Sequence, residues 1–401
     1  MIGRATQTMS QSSASPSIAR TAVFWLILVL LVAVLIEGSA AAICWFIVLP
    51  RTRDLVWAPD LDRARMNWKK EAGQADDEIG WPSPAALTRL PYDASGAKYN
   101  SEFPEPGHAC VSAYGDSFVF GAEVADQDGW VERLAHLLGC RAANYGVNAY
   151  GTDQALIRFR RNRNDEAPLV LLGIFPENVL RNVNQYRGLI GYELEPVNVK
   201  GRFVLDAAGS LAWVPRPHLD ADRFIRLNRA PAEFLPHEYF LPDTRDGPVT
   251  LGIPYSLALL RLLAAPRIWT HFGGRPAWSG FFAADHPSGA LSLTVAIVDV
   301  FAREAAARNK RMLVVTFPGA NSFRLRPHGA AFEYAPLVAA LSAKGIDVFD
   351  SAPALTAALG DRSYCELYAK PDDCGGHFGV LGNRMLAEAA ASELRRRELM
   401  K

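Results

Sequence analysis

The chain has 401 residues, half of them hydrophobic, with 42 basic and 42 acidic side chains and no long run of either sign. That is enough material for one large domain or two ordinary ones, while the balanced charge leaves no electrostatic footprint for nucleic acid or another polyanion. No cluster of His, Asp or Glu has metal-ligand spacing, so a metallohydrolase is disfavoured and neither metal nor cofactor is expected.

A Ser-rich tail over residues 1–20 precedes "TAVFWLILVLLVAVLIEGSAAAICWFIVLP", residues 21–50, which carries a single charged group, Glu37. As a helix it is long enough to span a bilayer. The competing reading is a cleaved secretory signal, because "EGSAAA" supplies small residues after an apolar stretch, but "ICWFIVLP" then resumes for longer than a cleavage region should. We expect a transmembrane anchor, with Glu37 shifting the helix or meeting a neighbouring polar partner. Arg4 and Arg20 precede the segment and Arg51, Arg53, Arg63, Arg65, Lys69 and Lys70 follow it, so a positive-inside count would leave the domain in the cytoplasm. The cysteines argue the other way. Cys110, Cys140, Cys365 and Cys374 form an even set compatible with disulfides in an oxidising compartment, four reduced buried thiols being the alternative. The expectation is a single-pass protein of the inner or plasma membrane with its domain in the periplasm or outside the cell.

Residues 51–107 are charged and proline-containing and read as a stalk and lead-in. From residue 108 to 397 strands and helices alternate. "ACVSAY" is a short buried strand, "GWVERLAHLLG" a helix stopped by Gly139, and "CRAANYGV" leads into a second strand. "PLVLLGIF", residues 168–175, is the clearest strand. Between about 187 and 285 the rhythm breaks into an insertion, with a hairpin in "GRFVLDAAGSLAWVP", a helix in "PYSLALLRLLAAPRIW" and many aromatics. These aromatics line a cleft or form a subsidiary core. "LSLTVAIVDVFAREAAARN" then places Leu291, Val295, Val298 and Ala302 on one helical face; "KRMLVVTFP" is a strand, "EYAPLVAALSAKG" a helix, "IDVFD" a last strand and "GNRMLAEAAASELRRREL" a closing helix. Such alternation predicts an α/β fold with a central parallel sheet between helical layers, and ligands in such folds collect at the carboxyl ends of the strands.

The stretch "YGDS" brings Ser117 to such an end. A serine hydroxyl needs a base to take its proton, and of eight histidines His377 is the best placed. It follows the last strand in "DDCGGHFGVLGNR", just before a helix, with Asp372 and Asp373 close by to orient the ring. His108 lies at the wrong end of its strand, His136 within a helix, and His218, His237, His271, His286 and His328 sit among residues where a loop role suffices. Oxyanion donors are offered by the glycine turn "NYGVNAYGTDQ", residues 144–154, and by Asn178 in "GIFPENV" after the third strand.

These blocks together resemble the SGNH/GDSL hydrolase superfamily, and within it the membrane-anchored envelope members related to polysaccharide O-acetylation, the alginate acetylation-like proteins. The resemblance covers residues 108–397 outside the insertion. It implies a three-layer SGNH-type sandwich, Ser117 as nucleophile, His377 as base, and the amide of Ser117 with Ala149 or Gly151 and Asn178 as oxyanion donors. Ala149 stands where the family usually has its glycine. Cys374 stands where the family's acid usually precedes the histidine, so Asp373, or Asp372 as the alternative acid, must reach from farther back. Disulfides Cys110–Cys140 and Cys365–Cys374 are expected, the second tying down the His377 loop. The resulting expectation is a serine esterase acting on an O-acylated envelope carbohydrate or another small ester. The alternatives are a carbohydrate O-acyltransferase using the same triad and a catalytically silent polysaccharide-binding module.

Overall fold

The structure is a computed structural model that describes residues 18–191, 194–326 and 330–400. Most of the expected tail, His328 and two residues of the insertion therefore lie outside the described residues. The first helix, α1 (Ile18–Ile43), continues through a π-helical turn at Cys44–Val48 to Arg51. The whole stretch, 34 residues, is long and apolar enough to cross a membrane, and its side chains are largely uncovered by the rest of the chain.

The domain is built from the following elements in chain order. Strand β1 (Val111–Tyr114) leads into a one-turn helix, α2 (Ser117–Phe120), and then α3 (Trp130–Leu138). Next come β2 (Ala142–Asn144), α4 (Thr152–Arg161), β3 (Leu169–Ile174) and the short α5 (Asn178–Asn182). The insertion contributes β4 (Arg202–Leu205), β5 (Leu211–Val214), α6 (Tyr255–Ala264) and α7 (Pro266–Phe272). The main rhythm resumes with α8 (Ala290–Ala307), β6 (Arg311–Thr316), α9 (Ala335–Ala343), β7 (Val348–Asp350) and α10 (Ser351–Leu359). It closes with a hairpin, β8 (Tyr368–Lys370) and β9 (Gly375–Phe378), and with α11 (Val380–Arg396).

Five strands form one parallel sheet in the order β2–β1–β3–β6–β7, with Val111 opposite both Ala142 and Leu169, and Val314 opposite Val348. Alternation along β3 divides the core into two layers. Val170, Leu172 and Ile174 face α4, α8 and α9, packing with Leu156, Phe159, Ile297, Phe301 and Leu341. Leu169 and Leu171 face α3, α10 and α11, packing with Trp130, Leu134, Leu355, Leu386 and Leu394. The fold is thus α/β, a parallel sheet between two helical layers, as the alternation predicts.

Several boundaries follow from local chemistry. Gly139 closes α3 in the left-handed conformation at φ 67°. Leu291, Val295 and Val298 are buried on the expected face of α8. The single helix expected in "PYSLALLRLLAAPRIW" is broken in two at Pro266, whose ring cannot continue α6. The lead-in before the sheet is more than a stalk. Leu55, Val56 and Trp57 are buried, with Val56–Trp57 pairing in parallel with Val249–Thr250, and Ile79, Trp81 and Ala97 join the domain's core. The hairpin β4–β5 is antiparallel, with Phe203 opposite Trp213. Aromatics of the insertion divide between roles: Phe240, Phe281 and Phe282 are buried in the same core that packs on the α8 side of the sheet, not in the separate subsidiary core expected, whereas Trp269 and Phe272 are exposed.

Candidate active site

The site begins where β1 stops. After Tyr114 the chain turns at Gly115, where a Cβ would lie 2.5 Å from Val119 Cγ2 and 2.8 Å from the carbonyl oxygen of Gly173, so only glycine fits. Asp116 then caps α2, its Oδ1 accepting from the Phe118 N–H at 2.9 Å. This makes Ser117 the first residue of the helix, buried at 5% exposure but open towards His377. His377 Nε2 lies 2.7 Å from Ser117 Oγ. Phe118 packs under the same imidazole with ring centres 5.0 Å apart, and stacks on Phe175 at 4.2 Å.

The carboxylate partner is Glu123. Its Oε2 lies 3.0 Å from His377 Nδ1 and also accepts from the His377 backbone N–H at 2.6 Å. Asp373 and Asp372, the expected partners, are exposed in the turn between β8 and β9, and among the described residues neither bonds to His377. The reason lies in the backbone. His377 sits on a strand, not in a loop, and each residue along a strand advances about 3.3 Å, carrying the imidazole away from that turn and towards α2. Glu123 comes from the segment following α2, in a left-handed conformation at φ 67°. Gly376 leaves the space: a Cβ there would lie 2.6 Å from Glu123 Oε2. The Glu123 carboxyl is held below its usual value, first by the His377 N–H and, against a desolvation penalty, also by the imidazole and by Lys370, whose Nζ is 3.8 Å away.

The hairpin that presents His377 is closed by a disulfide between Cys365 and Cys374, with Cα atoms 4.5 Å apart. A second bridge joins Cys110, just before β1, to Cys140, just before β2, with Cα atoms 6.1 Å apart.

Loops after three adjacent strands converge on Ser117. The Val147 N–H donates to Gly115 O at 3.1 Å, and Arg181 Nη1 donates to Tyr150 O at 2.9 Å while lying 3.4 Å from Asp116 Oδ2. Asp116 is fully buried, and burial raises its carboxyl above the usual value despite Arg181. Of the expected oxyanion donors, Asn178 is buried and fixed at both ends of its amide. Its Oδ1 accepts from the Phe175 N–H at 2.8 Å and its Nδ2 donates one hydrogen to Tyr150 O at 3.1 Å, leaving the second hydrogen of that NH2 group. Ala149 adopts φ 66°, the left-handed conformation that a glycine would take more easily. The backbone N–H groups of Ser117 and Ala149 make no backbone hydrogen bond among the described residues. Gly151 differs, because its N–H is engaged with Gln154 Oε1 at 2.9 Å as the start of α4, so it is not a free donor.

Sequence reasoning missed Glu123 and Arg181. Glu123 lies only six residues after Ser117, in the segment "SFVFGAE", yet nothing in that spacing announces that it will meet a histidine 254 positions away.

No family model and no curated protein matches the chain. Solved structures similar to it include a member of the lipolytic protein G-D-S-L family from Veillonella parvula, at 11% identity over 71% of this chain and 98% of that one, with a TM-score of 0.36. A possible lipase from Chitinophaga pinensis is similar at 12% identity over 72% of this chain and 99% of that one, with a TM-score of 0.34.

Proposed function

We propose that the chain is a membrane-anchored serine hydrolase of the SGNH type that cleaves esters. The observation that carries this reading is the relay from Ser117 Oγ to His377 Nε2 at 2.7 Å and from His377 Nδ1 to Glu123 at 3.0 Å. A hydroxyl donating to Nε2, with a carboxylate accepting from Nδ1–H behind it, is the arrangement that turns a hydroxyl into a nucleophile.

In this mechanism Ser117 Oγ attacks the ester carbonyl carbon as its proton passes to His377 Nε2. Glu123 faces the imidazolium that forms and keeps Nδ1 protonated. The backbone N–H groups of Ser117 and Ala149, with the remaining Asn178 hydrogen, hold the oxyanion. His377 then gives its proton to the departing alcohol, leaving Ser117 acylated. Water, deprotonated by the same imidazole, releases the carboxylic acid and restores the serine.

If a sugar hydroxyl replaces that water, the same residues transfer the acyl group, and the substrate proposed is an O-acylated carbohydrate of the cell envelope. The silent-module alternative drew its motive from Ala149 in the place of a glycine and from the lack of an acid three residues before His377; Glu123 supplies that carboxylate from elsewhere, and Ala149 adopts the left-handed backbone a glycine would take. The helix through residues 18–51 is read as the anchor, and the two disulfides favour an oxidising compartment outside the cytoplasm for the domain. The test is fluorophosphonate labelling of the full chain with the modified peptide sequenced. Label confined to Ser117 and absent from Ser117→Ala is expected; a folded protein that takes no label overturns the reading.

A further inference from the structure

A second surface lies where the insertion meets α1. Leu257, Leu260 and Leu263 of α6, Trp269 and Phe272 of α7, and Ile253 just before them all face outward, at 41% to 87% exposure. What holds the start of α6 is unusual. Glu37 accepts from the backbone N–H of Tyr255 at 2.7 Å and of Ser256 at 3.2 Å, and also from the Ser256 hydroxyl. The indole of Trp45 donates to the Tyr255 hydroxyl at 3.2 Å. These N–H groups open α6 and have no partner within it, and the carboxylate meets the positive end of the helix dipole.

Glu37 is fourteen residues before Arg51, which puts it about 21 Å along the helix from that end at 1.5 Å per residue. The contact therefore lies within the apolar stretch of α1, not at its rim. The groove between the two helices is lined by Val32, Ile36 and Ile43 on one side and Leu259, Leu260 and Leu263 on the other. Arg261, the charged residue of α6, is 3.5 Å from Asp243 in the loop preceding this unit.

We propose that residues 253–272 form a second membrane-embedded element, which enters the bilayer beside α1 without crossing it and is locked there by Glu37. The proposal rests on α1 being the anchor. It gives one account of two features otherwise unrelated: a carboxylate in the middle of a spanning helix, which is costly unless paired, and an apolar helical face left open on a domain of balanced charge. The occupant of that face is lipid, because the face continues the exposed apolar surface of α1 and carries the apolar ring of Phe272 and the indole of Trp269, a side chain enriched at membrane–water boundaries. Six residues beyond Phe272, Trp278 packs edge-on against Phe175, the ring stacked on Phe118 beside Ser117. The embedded element and one end of the aromatic stack that reaches Phe118 thus belong to a single stretch of chain.

The test uses the full chain carrying Cys44→Ala, so that the remaining cysteines are bridged, in vesicles of phosphatidylcholine and phosphatidylglycerol. Nitroxide labels are placed one at a time on Leu28→Cys in α1, Leu260→Cys, Trp269→Cys and, as an aqueous control, Ala208→Cys, and collisions with oxygen and with a water-soluble nickel chelate are compared. Oxygen should dominate several-fold at 28 and 260 and more weakly at 269, nearer the boundary, and nickel should dominate at 208. Nickel access at 260 and 269 with oxygen dominant at 28 overturns the embedded element and leaves the anchor intact; nickel access at 28 removes the anchor and the proposal with it. Protection of 260 from both reagents means that protein, such as a second copy, covers the face, and overturns lipid as its occupant. Glu37→Ala should free α6 and make the label at 260 more mobile; unchanged mobility overturns the lock.

Discussion

Ala149 sits in the left-handed region at φ 66°, where a Cβ costs about 1–2 kcal/mol. Ala149→Gly removes that strain but adds chain entropy to the unfolded state, about 0.5–1 kcal/mol. The net expectation is a gain of up to about 1.5 kcal/mol, read as a higher urea midpoint; a lower midpoint would mean that the packing of the methyl group outweighs the strain. Glu123 makes a separate prediction through pH. Its carboxyl is depressed in the folded chain, so its contribution to stability is present above the unfolded value of about 4.3 and is lost as pH falls through the lower folded value. The difference in urea midpoint between the native chain and Glu123→Gln should persist at pH 6 and close only in that acid window, and a difference that vanishes by pH 6 would contradict the depression. The residues legible in the sequence were those carried by strand ends, Ser117 after β1 and His377 beside the closing helix. Glu123 was not legible because its position is set by the turn after α2 and by the space at Gly376, neither of which has a sequence signature. Gly151 misled for a related reason: the side chain that engages its N–H, Gln154, lies in the following helix.

Among the elements, the β8–β9 hairpin is the one on which the site depends. "DDCGGHFG" reads as a glycine-rich loop, yet pairing with β8, in which Tyr368 lies opposite Phe378, makes it a strand, a case of tertiary pairing overriding weak local propensity. The long apolar and amphipathic runs were legible because burial on one face fixes their period; α2 was not, since a single turn has no period to read. The two disulfides separate stability from function. By chain entropy, removing Cys110–Cys140, whose ends are 30 positions apart, costs about 3–4 kcal/mol, and removing Cys365–Cys374, whose ends are nine apart, about 2–3 kcal/mol. We expect the opposite order for activity, because only the second bridge holds the His377 hairpin. Paired Cys→Ser variants compared by urea denaturation and by ester turnover would show it, and equal loss of turnover in both would contradict a positioning role for the second bridge.

At the scale of the whole molecule, a parallel sheet gathers three loops at its carboxyl edge, a hairpin closes over them, and an apolar helix ties the assembly to one side. If that helix is the anchor, the chain should remain with membranes after washing at alkaline pH and leave them only with detergent; release by alkali would contradict anchoring. That Ser117, His377 and Glu123 act as one relay is tested most directly by comparing kcat/KM for p-nitrophenyl acetate across three folded variants. Ser117→Ala should abolish turnover, Glu123→Gln should reduce it by about 10²- to 10⁴-fold, and Asp373→Asn should leave it within a few-fold of the native chain. A Glu123→Gln variant with native turnover, or an Asp373→Asn variant that loses it, would contradict the relay.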